Sequence, residues 1–146
     1  MRLIIQRVKQ ASVTVENKLI SSIGPGVLVL FGVHKNDNPS QTMWLAKKLL
    51  SLRIFPNEQG KMHLSLTDLQ ASALIVSQFT LYCDCKEGRR PDCSQAAPAH
   101  LAQPLYNKFV SEVKQELNDV QTGLFGAYMH LSLVNEGPLT FTVDAP

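Results

Sequence analysis

Two unbroken apolar runs, Gly26-Val27-Leu28-Val29-Leu30-Phe31 and Ala73-Leu74-Ile75-Val76, limit what this chain can fold into. Both are too short for a helix and too continuously aliphatic for a half-exposed strand, so they read as strands in the interior of a sheet. The first run closes a stretch from Met1 to Gly32 that carries three or four strands, with clean alternation in Ala11-Ser12-Val13-Thr14-Val15 and a break at Gly24-Pro25-Gly26. The second run leads into Ser77. Between them, Arg53-Ile54-Phe55 and Lys61-Met62-His63-Leu64 flank a turn at Pro56 to Gly60 and predict two short strands.

Helical periodicity appears twice. Asn38-Pro39-Ser40-Gln41 supplies an N-cap, a first-turn proline and a capping-box glutamine ahead of Leu45, Ala46, Leu49 and Leu50. Pro104 opens a second helix whose apolar face is Leu105, Phe109, Val110, Val113 and Leu117, with Lys108, Glu112, Lys114 and Glu116 solvated. The segment from Cys83 to Pro98 is polar and broken by glycine and proline, a long surface loop with Arg89-Arg90 in its middle. The tail alternates through Ala127, Met129, Leu131 and Leu133, pauses at Asn135-Glu136-Gly137-Pro138 and resumes at Leu139 to Val143, which predicts two strands separated by a glycine-proline break. Many strands and two main helices define an α+β fold with a mixed, curved, barrel-like sheet. With 146 residues and 45% hydrophobic content, one domain spanning residues 1–146 around one core is expected.

A net charge of +2 tolerates an anionic partner but lacks the density of a general nucleic-acid coat. The start Met1-Arg2-Leu3-Ile4-Ile5-Gln6-Arg7 is interrupted by charge too soon for a signal peptide or a membrane span, so no membrane association is expected. Cys83, Cys85 and Cys93 are an odd number in a chain able to build its own core, and reduced surface thiols in a cytoplasmic protein are expected.

The chain lacks a Gly-x-Ser-x-Gly elbow, a phosphate-binding loop, a dinucleotide fingerprint and a His-Glu-x-x-His helix. Cys83, Cys85, Cys93 and His100 have spacing unlike that of zinc knuckles, so neither a metal nor a cofactor is expected. His34, His63, His100 and His130 are dispersed, none with a neighbouring carboxylate to orient it as a base. From composition and spacing alone the chain is at most a possible enzyme.

Ser77-Gln78-Phe79-Thr80-Leu81, closing the second buried run, and Asn135-x-Gly137-Pro138-x-Thr140 resemble the two signature motifs of the D-aminoacyl-tRNA deacylases. Gln6-Arg7-Val8, Ala11-Ser12-Val13, Arg53-Ile54-Phe55 and Gln121-Thr122-Gly123 extend the resemblance over essentially the whole chain. It departs in the loop, where Asp92-Cys93 follows Arg90-Pro91 in place of serine-phenylalanine and Ala96-Ala97 replaces a glycine-alanine pair.

The resemblance implies a homodimeric ester hydrolase acting on aminoacylated tRNA. Ser77, Gln78, Phe79 and Thr80 would form the catalytic segment, with backbone N–H groups near Phe79 and Thr80 as an oxyanion hole and Thr80 hydrogen bonding without acting as nucleophile. A cis Gly137-Pro138 element entering the partner subunit's site would exclude L side chains and pass D-amino acids and glycine. Arg7, Asn135 and Thr140 would support that element, and Phe125 and Met129, on the strand before it, would border the adenosine. Lys86, Arg89 and Arg90 are candidate phosphate contacts. Two alternatives stay open: a non-catalytic nucleic-acid-binding module of the same fold, and a related deacylase for mischarged L-alanine, against which Ser77-Gln78 argues.

Overall fold

The computed structural model describes Met1–Pro146 and is organised by β1 (Arg2–Val15), which pairs along both of its edges. One edge takes β3 (Gly26–Gly32) against residues 2–8 and β2 (Lys18–Ile23) against residues 11–15. The other takes β8 (His130–Asp144) from Arg2 to Thr14, and all three pairings are antiparallel. Glu16 and Asn17, at φ 48° and 62°, form the two-residue turn into β2, as a tight hairpin with right-handed strand twist requires.

The two apolar runs lie side by side. β3 and β6 (Ser72–Ser77) are parallel neighbours, and β7 (Val120–Thr122) is parallel to β6, giving the order β2-β1-β3-β6-β7 with β8 on β1. Parallel pairs need long crossovers. The first carries α1 (Ser40–Ser51), the two-stranded β4 (Phe55–Pro56) and β5 (Met62–Leu64), and α2 (Leu66–Leu69); the second carries α3 (Ala99–Lys114). Because strand side chains alternate, Val27, Val29, Phe31, Ala73 and Ile75 join the helix-side core, while Leu28, Leu74 and Val76 join a smaller cluster on the other face.

β1 changes sides part-way. Leu3 and Ile5 pack in the helix-side core and Val8, Ala11 and Val13 in the second cluster, and the register against β8 shifts on either side of Val8. Such bulges bend a strand and increase its twist. The bend brings β2 round towards β7, where the Ser21 hydroxyl donates to Thr122 O at 2.8 Å. The result is the expected α+β fold with a mixed, nearly closed, barrel-like sheet.

Several local expectations need correction. The second main helix begins at Ala99, behind an extended Pro98, and Pro104 lies inside it. Pro104 forgoes one ladder bond close to the helix start, and the residue whose carbonyl it leaves free, His100, is exposed to water. The tail is one continuous strand, β8, because bulges against β1 absorb the Gly137-Pro138 step that the sequence suggests as a break. The four-residue α2, with a Ser65–Asp68 capping box, was not anticipated. α1 starts one residue beyond the expected first-turn Pro39; Asn38 Oδ1 accepts from Ser40 N–H at 3.0 Å, and Gln41 Oε1 accepts from Asn38 N–H at 2.9 Å.

The cysteine expectation is overturned. Cys83 and Cys93 form a disulfide and only Cys85 is a free, exposed thiol. Spacing gave no hint of the pairing because a local hairpin creates it: Asp84 and Asp92 exchange backbone hydrogen bonds of 2.7 and 2.9 Å directly inside the cysteines. No helix of the chain is long and apolar enough to cross a membrane.

The β3–β6 pairing depends on Gly26, where an added Cβ would sit 1.9 Å from the backbone oxygen of Ser72. Backbone cannot yield as a flexible side chain can. Gly26→Ala is expected to lose more than about 4 kcal/mol, read as a collapse of the urea midpoint relative to the unsubstituted protein.

Candidate active site

The carboxyl ends of parallel strands are the usual place for a ligand crevice in sheets of this kind, and those of β3 and β6 open into a cavity of about 550 Å³. Its wall is continuous with the core. Phe31 stacks on Phe109 at 4.7 Å and meets Tyr106 at 5.9 Å, and Tyr106 meets Phe125 at 5.6 Å. The Tyr106 hydroxyl donates to Ile75 O at 2.8 Å, and burial raises its pKa, so it serves as a fixed neutral strut. No histidine, carboxylate, lysine or arginine lines the cavity.

β6 ends at Ser77. Gln78 N–H donates to Phe31 O at 2.8 Å, and the chain then tightens into a 3₁₀ turn over Phe79–Tyr82. The first N–H groups of such a turn lack internal acceptors, and those of Phe79 and Thr80 make no bond to another backbone carbonyl. The Gln78 amide donates to the Thr80 hydroxyl. No carboxylate or imidazole is hydrogen bonded to that hydroxyl. Ser77, Gln78 and Phe79 line the cavity; Thr80, one step further round the turn, does not.

Phe125 and Met129 also line the cavity, but not from a strand. They belong to a loop between β7 and β8 that begins with a turn in which Ala127 N–H donates to Leu124 O at 3.1 Å. The expectation of a strand fails because a turn can bury alternate residues without strand pairing.

Arg7, Asn135, Gly137, Pro138 and Thr140 converge at the β1–β8 bulge, away from the cavity lining. The Asn135 side chain accepts from Leu139 N–H at 2.8 Å and donates to Leu139 O at 3.2 Å, substituting for a strand partner and pinching out Glu136-Gly137-Pro138. Thr140 Oγ1 receives Gln6 Nε2 and Asn135 Nδ2, each at 3.4 Å. These contacts explain the spacing of the second motif. The Gly137-Pro138 peptide is cis and both residues are exposed. The buried Arg7 guanidinium donates from Nη1 to Ile54 O at 2.6 Å and from Nε to Glu136 O at 3.3 Å, tying the pinched segment to the body of the protein.

Tyr106 and Tyr128 were missed by sequence reasoning. Tyr106 continues the helical face at the spacing of Phe109, Val110 and Val113 and was legible there; Tyr128 carries no periodic signal. Lys86, Arg89 and Arg90 are exposed on the tip of the disulfide-closed hairpin, whose chain leaves the 3₁₀ turn and returns to the cavity at Ala97. No three of the His, Cys, Asp and Glu side chains converge as a metal-binding group.

The candidate site is therefore an apolar cavity of nucleoside size, lined at the end of β6 by Ser77, Gln78 and Phe79 and by no carboxylate, imidazole, lysine or arginine. The family model described as D-Tyr-tRNA(Tyr) deacylase matches residues 4–144. A D-aminoacyl-tRNA deacylase of Thermosipho africanus is 52% identical over 145 residues, covering 99% of this chain and 97% of the relative. That of Protochlamydia amoebophila is 48% identical over 145 residues, covering 99% and 96%. A solved structure titled c-Myc DNA Unwinding Element Binding Protein superposes with a TM-score of 0.94 at 38% identity, covering 100% of this chain and 99% of the other. The chain belongs to the D-Tyr-tRNA(Tyr) deacylase family.

Removing the Arg7 guanidinium leaves two carbonyls without their donor. Arg7→Ala is expected to lower stability by about 1–3 kcal/mol and to speed amide exchange at Gly137 and Leu139 more than at Leu28, compared by hydrogen-exchange mass spectrometry.

Proposed function

We propose that this protein hydrolyses the ester between a D-amino acid and the 3′-terminal ribose of tRNA, rejecting L-aminoacyl-tRNA and cleaving glycyl-tRNA. The observation that carries this reading is the neutral cavity beside the unpartnered N–H groups of Phe79 and Thr80, in a chain of this family. An aminoacyl ester is an activated acyl group, so holding its carbonyl against two N–H donors and admitting water meets most of the chemical demand. Water adds to the carbonyl carbon, the negative charge that develops on its oxygen faces the two N–H groups, and collapse breaks the acyl–oxygen bond, the proton lost by the water ending on the departing ribose oxygen. The neighbouring ribose 2′-hydroxyl assists the attacking water, which accounts for a pocket with no protein base. Phe125 and Met129 border the adenine.

Chiral selection falls to Gly137 and Pro138. They lie outside the cavity of their own chain and project from a braced, exposed segment. This supports a two-fold symmetric homodimer in which each Gly137-Pro138 enters the site of the other subunit. Backbone presented there collides with an L side chain, while a D side chain points away and glycine has none to collide. Gly137 has φ 132°, and an added Cβ would lie 2.8 Å from Leu139 Cγ and 3.0 Å from Leu139 N. An aminoacyl-tRNA substrate supports a cytoplasmic location.

A second reading is a non-catalytic nucleic-acid-binding module, favoured by the 38%-identical structure whose title names a DNA-element-binding protein and by the cationic hairpin tip. The deciding measurement is ester release. Matched D-tyrosyl-, L-tyrosyl- and glycyl-tRNA are incubated with chelator-treated protein, while light scattering reads the oligomer mass. Loss of the D and glycyl esters, sparing of the L ester and a two-chain mass are expected, and Gly137→Ala should lose at least tenfold in kcat/KM for the D ester. Intact esters with salt-sensitive retention of tRNA would instead favour the binding module.

Thr80→Ala keeps the backbone N–H. It is expected to hold kcat within about threefold of the unsubstituted protein, whereas a nucleophilic hydroxyl would make the loss several orders of magnitude; single-turnover hydrolysis distinguishes the two.

A further inference from the structure

Tyr128 lines the cavity yet is 84% exposed, the most open large hydrophobic side chain of the chain. It contributes little to the core, and its hydroxyl makes no hydrogen bond within the protein. The turn at Leu124–Ala127 directs Phe125 inward against Tyr106 and leaves Tyr128 on the outer lip. Its ring meets that of exposed His130 at 5.5 Å with an interplanar angle of 87°. A single perpendicular neighbour can take at most one ring face, so the other is free.

We propose that Tyr128 is a stacking platform for the base next to the 3′-terminal adenosine of the substrate RNA. This inference rests on the deacylase reading above. A cavity of about 550 Å³ falls within the roughly 300–1,000 Å³ of sites for one drug-sized ligand, enough for one aminoacyl-nucleoside, so the rest of the single strand must leave across the lip. An unstacked RNA base next to an open aromatic face pairs with it readily, and the interaction tolerates any base identity. The platform therefore strengthens binding of every tRNA without discriminating among them. It acts on substrate capture, since it lies outside the turn that carries the Phe79 and Thr80 N–H groups.

The test compares two substrates, D-tyrosyl-tRNA and D-tyrosyl-adenosine, which lacks the stacked base. Tyr128→Ala should raise KM for the tRNA between about fivefold and a hundredfold, lower kcat/KM for the adenosine ester by a clearly smaller factor, and be rescued by Tyr128→Phe. A variant equal to the unsubstituted protein on tRNA, or equally impaired on both substrates, overturns the proposal. So does loss of a two-chain mass in Tyr128→Ala, which would assign the ring to a contact between copies. A binding arm keeps the two readings separate: an oligoribonucleotide with 2-aminopurine beside its terminal adenosine should be quenched by the unsubstituted protein and not by Tyr128→Ala, whether or not either ester is cleaved. Absence of quenching by the unsubstituted protein also overturns the platform.

Discussion

The architecture depends on β1 being paired along both edges while it changes the side on which it packs. A strand with regular pleat would put Leu3, Ile5 and Val13 in one layer. The register shifts around Val8 instead send the amino-terminal half to the helices and the carboxyl-terminal half to the second cluster, so one strand serves two cores. Arg7 sits at this discontinuity. Its guanidinium finds carbonyls in both the first crossover and β8 because the local ladder has been interrupted there. The bulge therefore curves the sheet and creates the place from which Gly137 and Pro138 project.

The cavity arises from the crossovers. Placing β3 and β6 side by side in parallel aligns their carboxyl ends, and the tight turn that follows Ser77 leaves the Phe79 and Thr80 N–H groups without a backbone partner next to an apolar cavity. Backbone donors need no proton inventory and keep their direction when side chains are replaced. The pinched segment at Asn135–Leu139 follows the same logic, with a side-chain amide standing in for a missing strand partner so that backbone can be presented outward.

Much of this was legible in the sequence. The buried runs identified β3 and β6, helical spacing found the packed faces of α1 and α3, and the two motifs fall on the turn after β6 and on the β1–β8 bulge. What escaped depended on contacts between segments. Pro104 is tolerated inside α3 because the carbonyl it strands belongs to an exposed residue; a proline rule applied locally moves the helix start to the wrong place. Cys83 and Cys93 meet because Asp84 and Asp92 pair as a short ladder, a geometry no cysteine count contains. Gly137-Pro138 resembles a strand break until β1 supplies the bulges that carry β8 through it. The division of the site residues into a cavity group and a projecting group is likewise tertiary.

Phe31 belongs at once to the packed core, through Phe109, and to the cavity wall. Occupancy and folding are consequently linked equilibria. A ligand that fills the cavity contacts side chains that are scattered in the unfolded chain, so it binds only the native state and raises the melting temperature with its concentration, by RT ln(1 + [L]/Kd) in free energy. The empty protein is then the less stable partner of that equilibrium, and thermal denaturation alone can report which small esters, nucleosides or amino acids the cavity accepts, with no turnover required.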